Sequence, residues 1–391
     1  GMIGGGRGAL IGDSHRTAAD ITGDIDLVAG AFSRDADASR DFGVELGLAT
    51  NRSYGSYAEM LEREATLPQD ERIQCVSIVT PNDSHADAAC AALTAGFHVI
   101  CDKPLAGHLE DALRIENAVN DSGLIFALTH TYTGYPLVIE ARERITAGEI
   151  GEVRRVAVSY LQDWLSRQED TTASKQAIWR NDPARSGESG SFADIGTHAF
   201  NMVEFMTGLS ITEVAAELRT VVPGRTLDDD GAAMFHLDNG ASGLLSASQV
   251  CSGALNALRI EIYGDAGSIF WAQEAPDSIT IKHRGKPDQI LRPGANVGYL
   301  SERAIAVCRT PGGHPEGFLE AFANLYAGFA RAVRNYPAHD GTGCASVADG
   351  VATMRFIRAA LISSRNQSAW TRPVSYTHLR AHETAMNISY A

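Results

Sequence analysis

The sequence predicts an α/β protein in two parts: an N-terminal doubly wound parallel sheet, then a second α/β unit with a large, mainly antiparallel open sheet. Three observations predict it. A glycine cluster opens the chain at Gly4–Gly12. Up to about residue 130, short apolar runs alternate with helical stretches, the grammar of βαβ units. Beyond that point strand-like runs follow one another through tight turns, as in an antiparallel sheet. A length of 391 residues fits two domains, placed at 1–130 and 131–373.

The first part reads element by element. Gly1–Ile3 supplies a first strand. Leu27–Phe32 (LVAGAF) is an apolar run suited to a buried parallel strand, and Tyr57–Glu64 reads as a helix. Cys75–Thr80 (CVSIVT) is a strand that ends at Pro81-Asn82. His85–Ala95 is an alanine-rich helix closed by Gly96. Phe97–Cys101 is a strand stopped by Asp102-Lys103-Pro104. Leu109–Asn120 is a helix and Leu124–Leu128 a further strand. In the second part a helix at Pro136–Ala147 precedes strands at Val153–Tyr160, Val214–Val222, Gly231–Leu237, Gly243–Val250, Leu258–Tyr263 and Ser268–Trp271. Asp238-Asn239-Gly240 is a hairpin turn by its Asn-Gly pair. Helices at Pro315–Val333 and Ser346–Ser363 close the fold.

Composition narrows the class. At 44% hydrophobic and 21% charged residues, the chain is neither disordered, collagen-like nor a disulfide scaffold. No apolar run reaches the roughly 18 residues of a membrane span. A net charge of -15 argues against a nucleic-acid partner, itself a polyanion. The six cysteines include no C-x-x-C pair, so no metal site is expected and reduced thiols in the cytoplasm are. Gly1 before Met2 reads as a residue left by cloning, and no signal peptide is visible. The string SYTHLRAHET within Val374–Ala391 resembles a translated cloning adapter. The stretch 374–391 is therefore expected to be a non-native or disordered tail, and His378 and His382 are set aside.

The glycine cluster has a chemical reading. A phosphate-binding turn needs positive φ and a backbone that approaches the pyrophosphate without a Cβ. Gly4, Gly6, Gly8 and Ala9 are the candidates, with Ala9 or Gly12 as the third small position. The helix that follows offers free N–H groups and its positive dipole end. At the end of the second strand, Ser33 and Arg34 suit a 2′-phosphate and lean toward NADP; Asp35 would serve NAD if the loop turns differently.

In an open parallel sheet, ligands sit outside the carboxyl ends of the strands. Thr80, Pro81, Asn82 and His85 follow one such strand. Asp102 and Lys103 follow another, and Lys103 is one of only four lysines. Asp194-Ile195-Gly196-Thr197-His198 opens a helix whose apolar stripe is Phe192, Ile195, Ala199, Met202 and Met206. Asp194 and His198, at i and i+4, share the face away from that stripe.

With these segments in view, the chain resembles the Gfo/Idh/MocA family of nicotinamide-dependent sugar and polyol oxidoreductases. The resemblance spans roughly Met2–Pro373 and rests on the glycine loop, TPNDSH (80–85), GFHVICDKP (96–104), AGEIGEV (147–153) and SGSFADIGTH (189–198). It implies a Rossmann domain plus a C-terminal domain whose open sheet carries a homodimer or homotetramer interface. It implies Lys103 as the catalytic lysine, in DKP rather than the usual EKP, and Asp194 and His198 as its acidic and imidazole partners. Tyr132 matches the Tyr of a Y-R-x-x-P segment, with Thr133 where Arg is common. Gln162, Trp179, Arg180 and His314 match substrate-pocket positions of related members.

The implied chemistry is hydride transfer between NAD(P) and a secondary hydroxyl or ketone of a sugar, polyol or glycoside. His198 would take the hydroxyl proton. Lys103 would hold the reacting oxygen. Asp194 would orient the substrate or His198. Two other classes share the resemblance: an NAD-dependent glycosidase acting by transient oxidation and elimination, and a non-catalytic nucleotide sensor.

Overall fold

The computed structural model describes residues 1–172, 174–339 and 341–373. The stretch read as a tail, 374–391, lies outside the described residues.

The first part is a five-stranded parallel sheet in the order β2-β1-β3-β4-β5. Its strands are β1 (Met2–Gly4), β2 (Gly30–Ala31), β3 (Cys75–Val79), β4 (His98–Asp102) and β5 (Phe126–Thr129). The crossovers carry α1 (Leu10–Thr22), α2 (Ala36–Glu45), α3 (Tyr57–Ala65), α4 (His85–Thr94) and α5 (Leu109–Ser122). Nearly every residue of β3, β4 and β5 is buried, as strands covered on both faces must be. Strand order reverses between β1 and β3, which opens a crevice at their carboxyl ends.

β2 is far shorter than the run Leu27–Phe32. At the sheet edge only Gly30 and Ala31 find ladder partners, Met2 and Ile3. α2 was not read from the sequence, because its polar composition hides a helix that starts from a cap: Asp35 accepts from the N–H groups of Asp37 and Ala38.

The second part continues with α6 (Pro136–Thr146), β6 (Val153–Leu161), α7 (Lys175–Arg180), α8 (Pro183–Ser186) and α9 (Thr197–Thr207). Its remaining strands are β7 (Ile211–Arg219), β8 (Asp230–Leu237), β9 (Ser242–Ser248), β10 (Ala257–Gly264), β11 (Gly267–Ala272), β12 (Ile279–His283) and β13 (Gln289–Leu291). Three more helices follow: α10 (Glu302–Ile305), α11 (Phe318–Arg334) and α12 (Val347–Arg365). The eight strands run β13-β12-β11-β10-β6-β9-β8-β7. Neighbours are antiparallel except β6 and β9, which are parallel. One face buries Phe235, Leu258, Ile260 and Trp271 against α6 and α9. The other is open, with Met234 and Leu244 exposed on adjacent strands. β12 and β13 carry too few apolar residues at period two to stand out in the sequence.

α11 and α12 return to the first part. Phe322 and Phe329 of α11 pack with Ala18 of α1 and Ile100 of β4. Val351 and Ile357 of α12 pack in the core that holds Leu109 of α5 and Leu128 of β5. α11 begins at Phe318 rather than Pro315, because the Glu320 carboxylate accepts from the Gly317 N–H and caps the helix there.

Candidate active site

The glycine loop is built by close backbone approach. Gly5 has φ of 67°, and a Cβ there would lie 2.9 Å from Gly12 Cα. A Cβ on Gly12 would in turn lie 2.5 Å from Gly5 Cα, so α1 leans directly on the loop. Gly12, not Ala9, is therefore the position where helix and loop need glycine. A Cβ on Gly6 would lie 2.5 Å from the Phe32 carbonyl oxygen. Ala9 precedes α1 with no side-chain cap, leaving the first-turn N–H groups facing the crevice.

A cleft of about 1230 Å³ runs from this loop to the second part of the molecule. It is lined by Gly4, Gly6, Gly8, Ala9, Ser33, Arg34, Thr80, Pro81, Asn82, Asp102, Lys103, Trp179 and Arg180. The residues present fit a dinucleotide. A Cβ at Gly4, Gly5 or Gly6 would run into neighbouring atoms, the start of α1 is uncapped, and the buried Thr80 hydroxyl has no partner among the described residues.

Several residues expected on the cofactor are instead committed within the protein. His85 is fully buried, with Nδ1 2.9 Å from the Pro104 carbonyl and Nε2 2.9 Å from the Thr80 carbonyl. Its ring sits between these two carbonyls and does not line the cleft, so His85 ties the lysine turn to the end of β3. Asn82 donates from Nδ2 to the Ser186 carbonyl at 2.9 Å, which docks α8 against the cleft. Arg34 donates to Asp83 at 2.9 Å and to Ser84 at 3.1 Å. The Ser33 hydroxyl accepts from the Asp35 N–H at 3.1 Å. Asp102, which lines the cleft, accepts from the Thr129 hydroxyl at 3.0 Å.

At the far end of the cleft the two parts of the chain meet. Lys103 Nζ donates to Asp194 Oδ1 at 2.9 Å and to the Asp194 carbonyl at 2.7 Å. Asp194 Oδ2 accepts from Arg180 Nε at 3.1 Å and from Gln249 Nε2 at 2.8 Å. Burial alone would raise the proton affinity of Asp194; Arg180 and Lys103 override it and hold the carboxylate far below its usual range. Asp194 stands in a wide π-type turn, Phe192–Gly196, that runs straight into α9. Asp228 fixes this turn, its carboxylate accepting from Ser189 Oγ, Ser191 Oγ and the N–H groups of Gly190 and Phe192.

His198, in the first turn of α9, packs edge-on against Tyr132, with ring centroids 4.7 Å apart, and against His130 at 5.4 Å. Burial first, then the charges of Lys103 and His130, push its proton affinity well below the ordinary imidazole value. Tyr132 and Tyr160 share a short hydroxyl contact, and Asn256 donates to Tyr132 at 3.3 Å. Gln162 donates to Asn256 at 2.8 Å and accepts from Trp164 Nε1 at 2.9 Å. Arg180 lies over the Trp179 ring, 4.3 Å from its centroid. Tyr132, Gln162, Trp179 and Arg180 thus gather around Asp194 and His198. His314 does not join them: it is exposed and its Nδ1 lies on the Pro311 carbonyl of its own turn.

The sequence reading missed His130, Gln249, Asn256 and Asp228. The parallel pairing of β6 with β9 is what puts Gln162 and Gln249 side by side at two strand ends. Only Asp228 left a signal, as the first of three consecutive aspartates (Asp228-Asp229-Asp230) at the start of a strand.

A dinucleotide crevice ending on a lysine, an aspartate and a histidine contributed by two domains defines the two-domain nicotinamide-dependent oxidoreductases. Two family profiles match: "Oxidoreductase family, NAD-binding Rossmann fold" over residues 1–130 and "GFO/IDH/MocA C-terminal domain" over residues 138–270. The chain belongs to the Gfo/Idh/MocA oxidoreductase family. It is 35% identical to the uncharacterized oxidoreductase YfiI of Bacillus subtilis over 85% of this chain and 84% of that one. It is 30% identical to levoglucosan dehydrogenase of Pseudarthrobacter phenanthrenivorans over 68% of each chain. Among solved structures, an inositol dehydrogenase homolog of Azotobacter vinelandii complexed with NAD+ superposes with a TM-score of 0.90 at 34% identity, covering 95% of this chain and 96% of that one.

Proposed function

We propose that this protein is an NAD-dependent dehydrogenase that oxidises a secondary hydroxyl of a neutral sugar or polyol. The observation that carries the reading is the paired contact of Lys103 with Asp194, at the junction of the dinucleotide cleft and a pocket of aromatic and amide side chains. Nicotinamide, when bound, supplies the hydride acceptor. His198, neutral at pH 7, takes the hydroxyl proton at a ring nitrogen. The third N–H of Lys103 donates to the substrate oxygen as charge develops there. Asp194 is saturated by three donors, so it orients Lys103 rather than serving as base.

Specificity for sugar fits the lining. Trp179 lines the cleft, and Tyr132, Tyr160, Gln162, Trp164 and Asn256 form a hydrogen-bonded cluster next to His198. Lys103 and Arg180 share the one Asp194 carboxylate, so both are held in place by an ion pair beside the pocket. The adenosine end favours NAD over NADP, reversing the lean drawn from Ser33 and Arg34. Asp35, Asp37, Asp41, Asp83 and Asp87 line it, while Arg34 is paired with Asp83 and Arg7 with Glu45. A 2′-phosphate would add charge of the same sign. The domain division at residue 130 follows the end of the parallel sheet, with α11 and α12 crossing back over it. The open face of the eight-stranded sheet suits a homodimer or homotetramer, which light scattering would measure. The six free cysteines suit a reducing cytoplasm. Among the described residues, no helix is long and apolar enough to cross a membrane.

The test is a thermal-shift screen with NAD and NADP, then a panel of sugars, polyols and glycosides followed at the reduced-nicotinamide absorbance. Stabilisation by NAD with NADH formed from a polyol or sugar supports the reading. Aglycone release without net NADH points to glycosidase chemistry, and binding without turnover points to a sensor.

A further inference from the structure

A line of buried ionisable groups runs from His198 through the parallel sheet to a second cavity. His130, at the end of β5, packs edge-on against His198 and is only 1% exposed; neither of its ring nitrogens has a partner among the described residues. It directly follows Thr129, which pairs with Asp102 across β4 and β5 and donates its hydroxyl to Asp102 Oδ1 at 3.0 Å. Asp102 lines the cleft, and its Oδ1 lies 3.7 Å from His15 Nε2. That nitrogen belongs to a fully buried ring of α1 and is likewise without a hydrogen-bond partner. The other nitrogen, His15 Nδ1, is 2.7 Å from the Tyr326 hydroxyl and 3.3 Å from the Ser77 hydroxyl. Ser77 and Tyr326 are themselves 2.9 Å apart.

His15, Ser77 and Tyr326 line a second cavity of about 360 Å³, on the other end of the sheet from the glycine loop. Asp20 and Asp24, both exposed, edge it. Asp102 and His15 are thus where the two cavities come within one side-chain contact. Leaving a buried polar nitrogen unpaired is costly, and native proteins satisfy such atoms with ordered water. Here three unpaired imidazole nitrogens fall in one line between a proton-accepting histidine and solvent.

We propose that His130, Asp102, His15 and Tyr326 form a proton-exit path from His198 to the second cavity. This rests on the dehydrogenase reading. In that reaction the substrate C–H bond breaks with its electron pair going to nicotinamide, and the O–H bond breaks with the proton going to His198. One carbonyl forms and one proton must leave the site. The proton passes through His130 to the Asp102 carboxylate and on to His15 Nε2. His15 Nδ1 gives up its own proton through the Tyr326 and Ser77 hydroxyls to water, and exchange of tautomers resets the ring. The groups that face His15 are Asp102 of β4, Ser77 of β3, and Tyr326 and Phe322 of α11. Asp102 is held at about 2: burial opposes ionisation, and His15 and Lys103 outweigh it.

The experiment has two arms. In stopped flow with a pH indicator, hydride transfer and proton release coincide in the wild type. In His15→Gln and Tyr326→Phe, proton release lags hydride transfer at least tenfold while substrate KM stays put. Tyr326→Phe loses only a hydroxyl and serves if His15→Gln does not fold. The second arm needs no turnover: in ¹⁵N-histidine NMR of the protein without substrate, Asp102→Asn shifts the ring signals of both His15 and His130. Coincident release in both variants overturns the path, as do ring signals unmoved by Asp102→Asn. Absence of NADH formation by the wild type across the panel counts against the dehydrogenase reading instead, and the NMR arm then decides the path.

Discussion

Lys103 reaches across the domain junction to touch Asp194 twice, at its carboxylate and at its own main-chain carbonyl. The second bond locks the ammonium to the backbone of the wide turn that starts α9. A lysine so held cannot swing with the substrate. In the proposed reaction its remaining N–H would be positioned before the substrate arrives, which is what electrostatic preorganisation requires.

Lys103→Ala removes the donor proposed to hold the substrate oxygen and leaves the glycine loop untouched. Turnover falls by about 10²–10³, while stabilisation by NAD in thermal shift is retained. Loss of NAD binding in this variant would show that the lysine serves the cofactor rather than the reaction.

His198 is shifted down by burial, Lys103 and His130, so it stays deprotonated below the ordinary imidazole range. The acid limb of kcat/KM for alcohol oxidation is therefore expected below about pH 6.5. His198→Ala lowers turnover by about 10²–10⁴ and removes that limb. A limb unchanged in His198→Ala would assign it to another group.

His130 carries the same sign into stability. Its folded value of about 3 lies below the unfolded imidazole value of about 6.5. The unfolded chain then binds more protons between those values, so the contribution is complete above pH 6.5 and is lost as pH falls toward 3. Between pH 7 and pH 5 it amounts to about 2 kcal/mol. In His130→Phe, denaturant unfolding at the two pH values should show a gap smaller by about that amount; an unchanged gap would sink the assignment.

Gly12→Ala sets a methyl 2.5 Å from Gly5 Cα and 2.7 Å from Gly5 O. Backbone cannot yield as a side chain does, so α1 must shift. The expected destabilisation is about 1–3 kcal/mol, with NAD affinity down at least tenfold. Wild-type affinity in this variant would mean that the loop tolerates displacement.

Asp228→Ala leaves four donors of Ser189–Phe192 without their acceptor. Unfolding free energy should drop by on the order of 3 kcal/mol. Any folded fraction should show turnover reduced more than NAD binding, because the turn carries Asp194 and not the cleft floor. Equal losses of both would place the defect in the whole fold.

The sequence by itself determined the parallel sheet, the glycine loop and the open-sheet domain, because each follows from patterns that repeat over a few residues. Apolar runs of β3 and β4, the Asn239-Gly240 turn and the apolar stripe of α9 are local requirements of strand, hairpin and helix. It also singled out Lys103, Asp194 and His198, whose segments carry the family pattern. Only the tertiary structure decided what those side chains touch. Arg34 is drawn to Asp83, and His85 spends both nitrogens on backbone. Gln249 reaches Asp194 through a parallel strand pair that no local pattern announces. His130 gains its meaning only beside His198, and His15 only beside Asp102. Contacts between strand ends far apart in sequence depend on sheet order and register, and these are fixed by the packing of the whole chain.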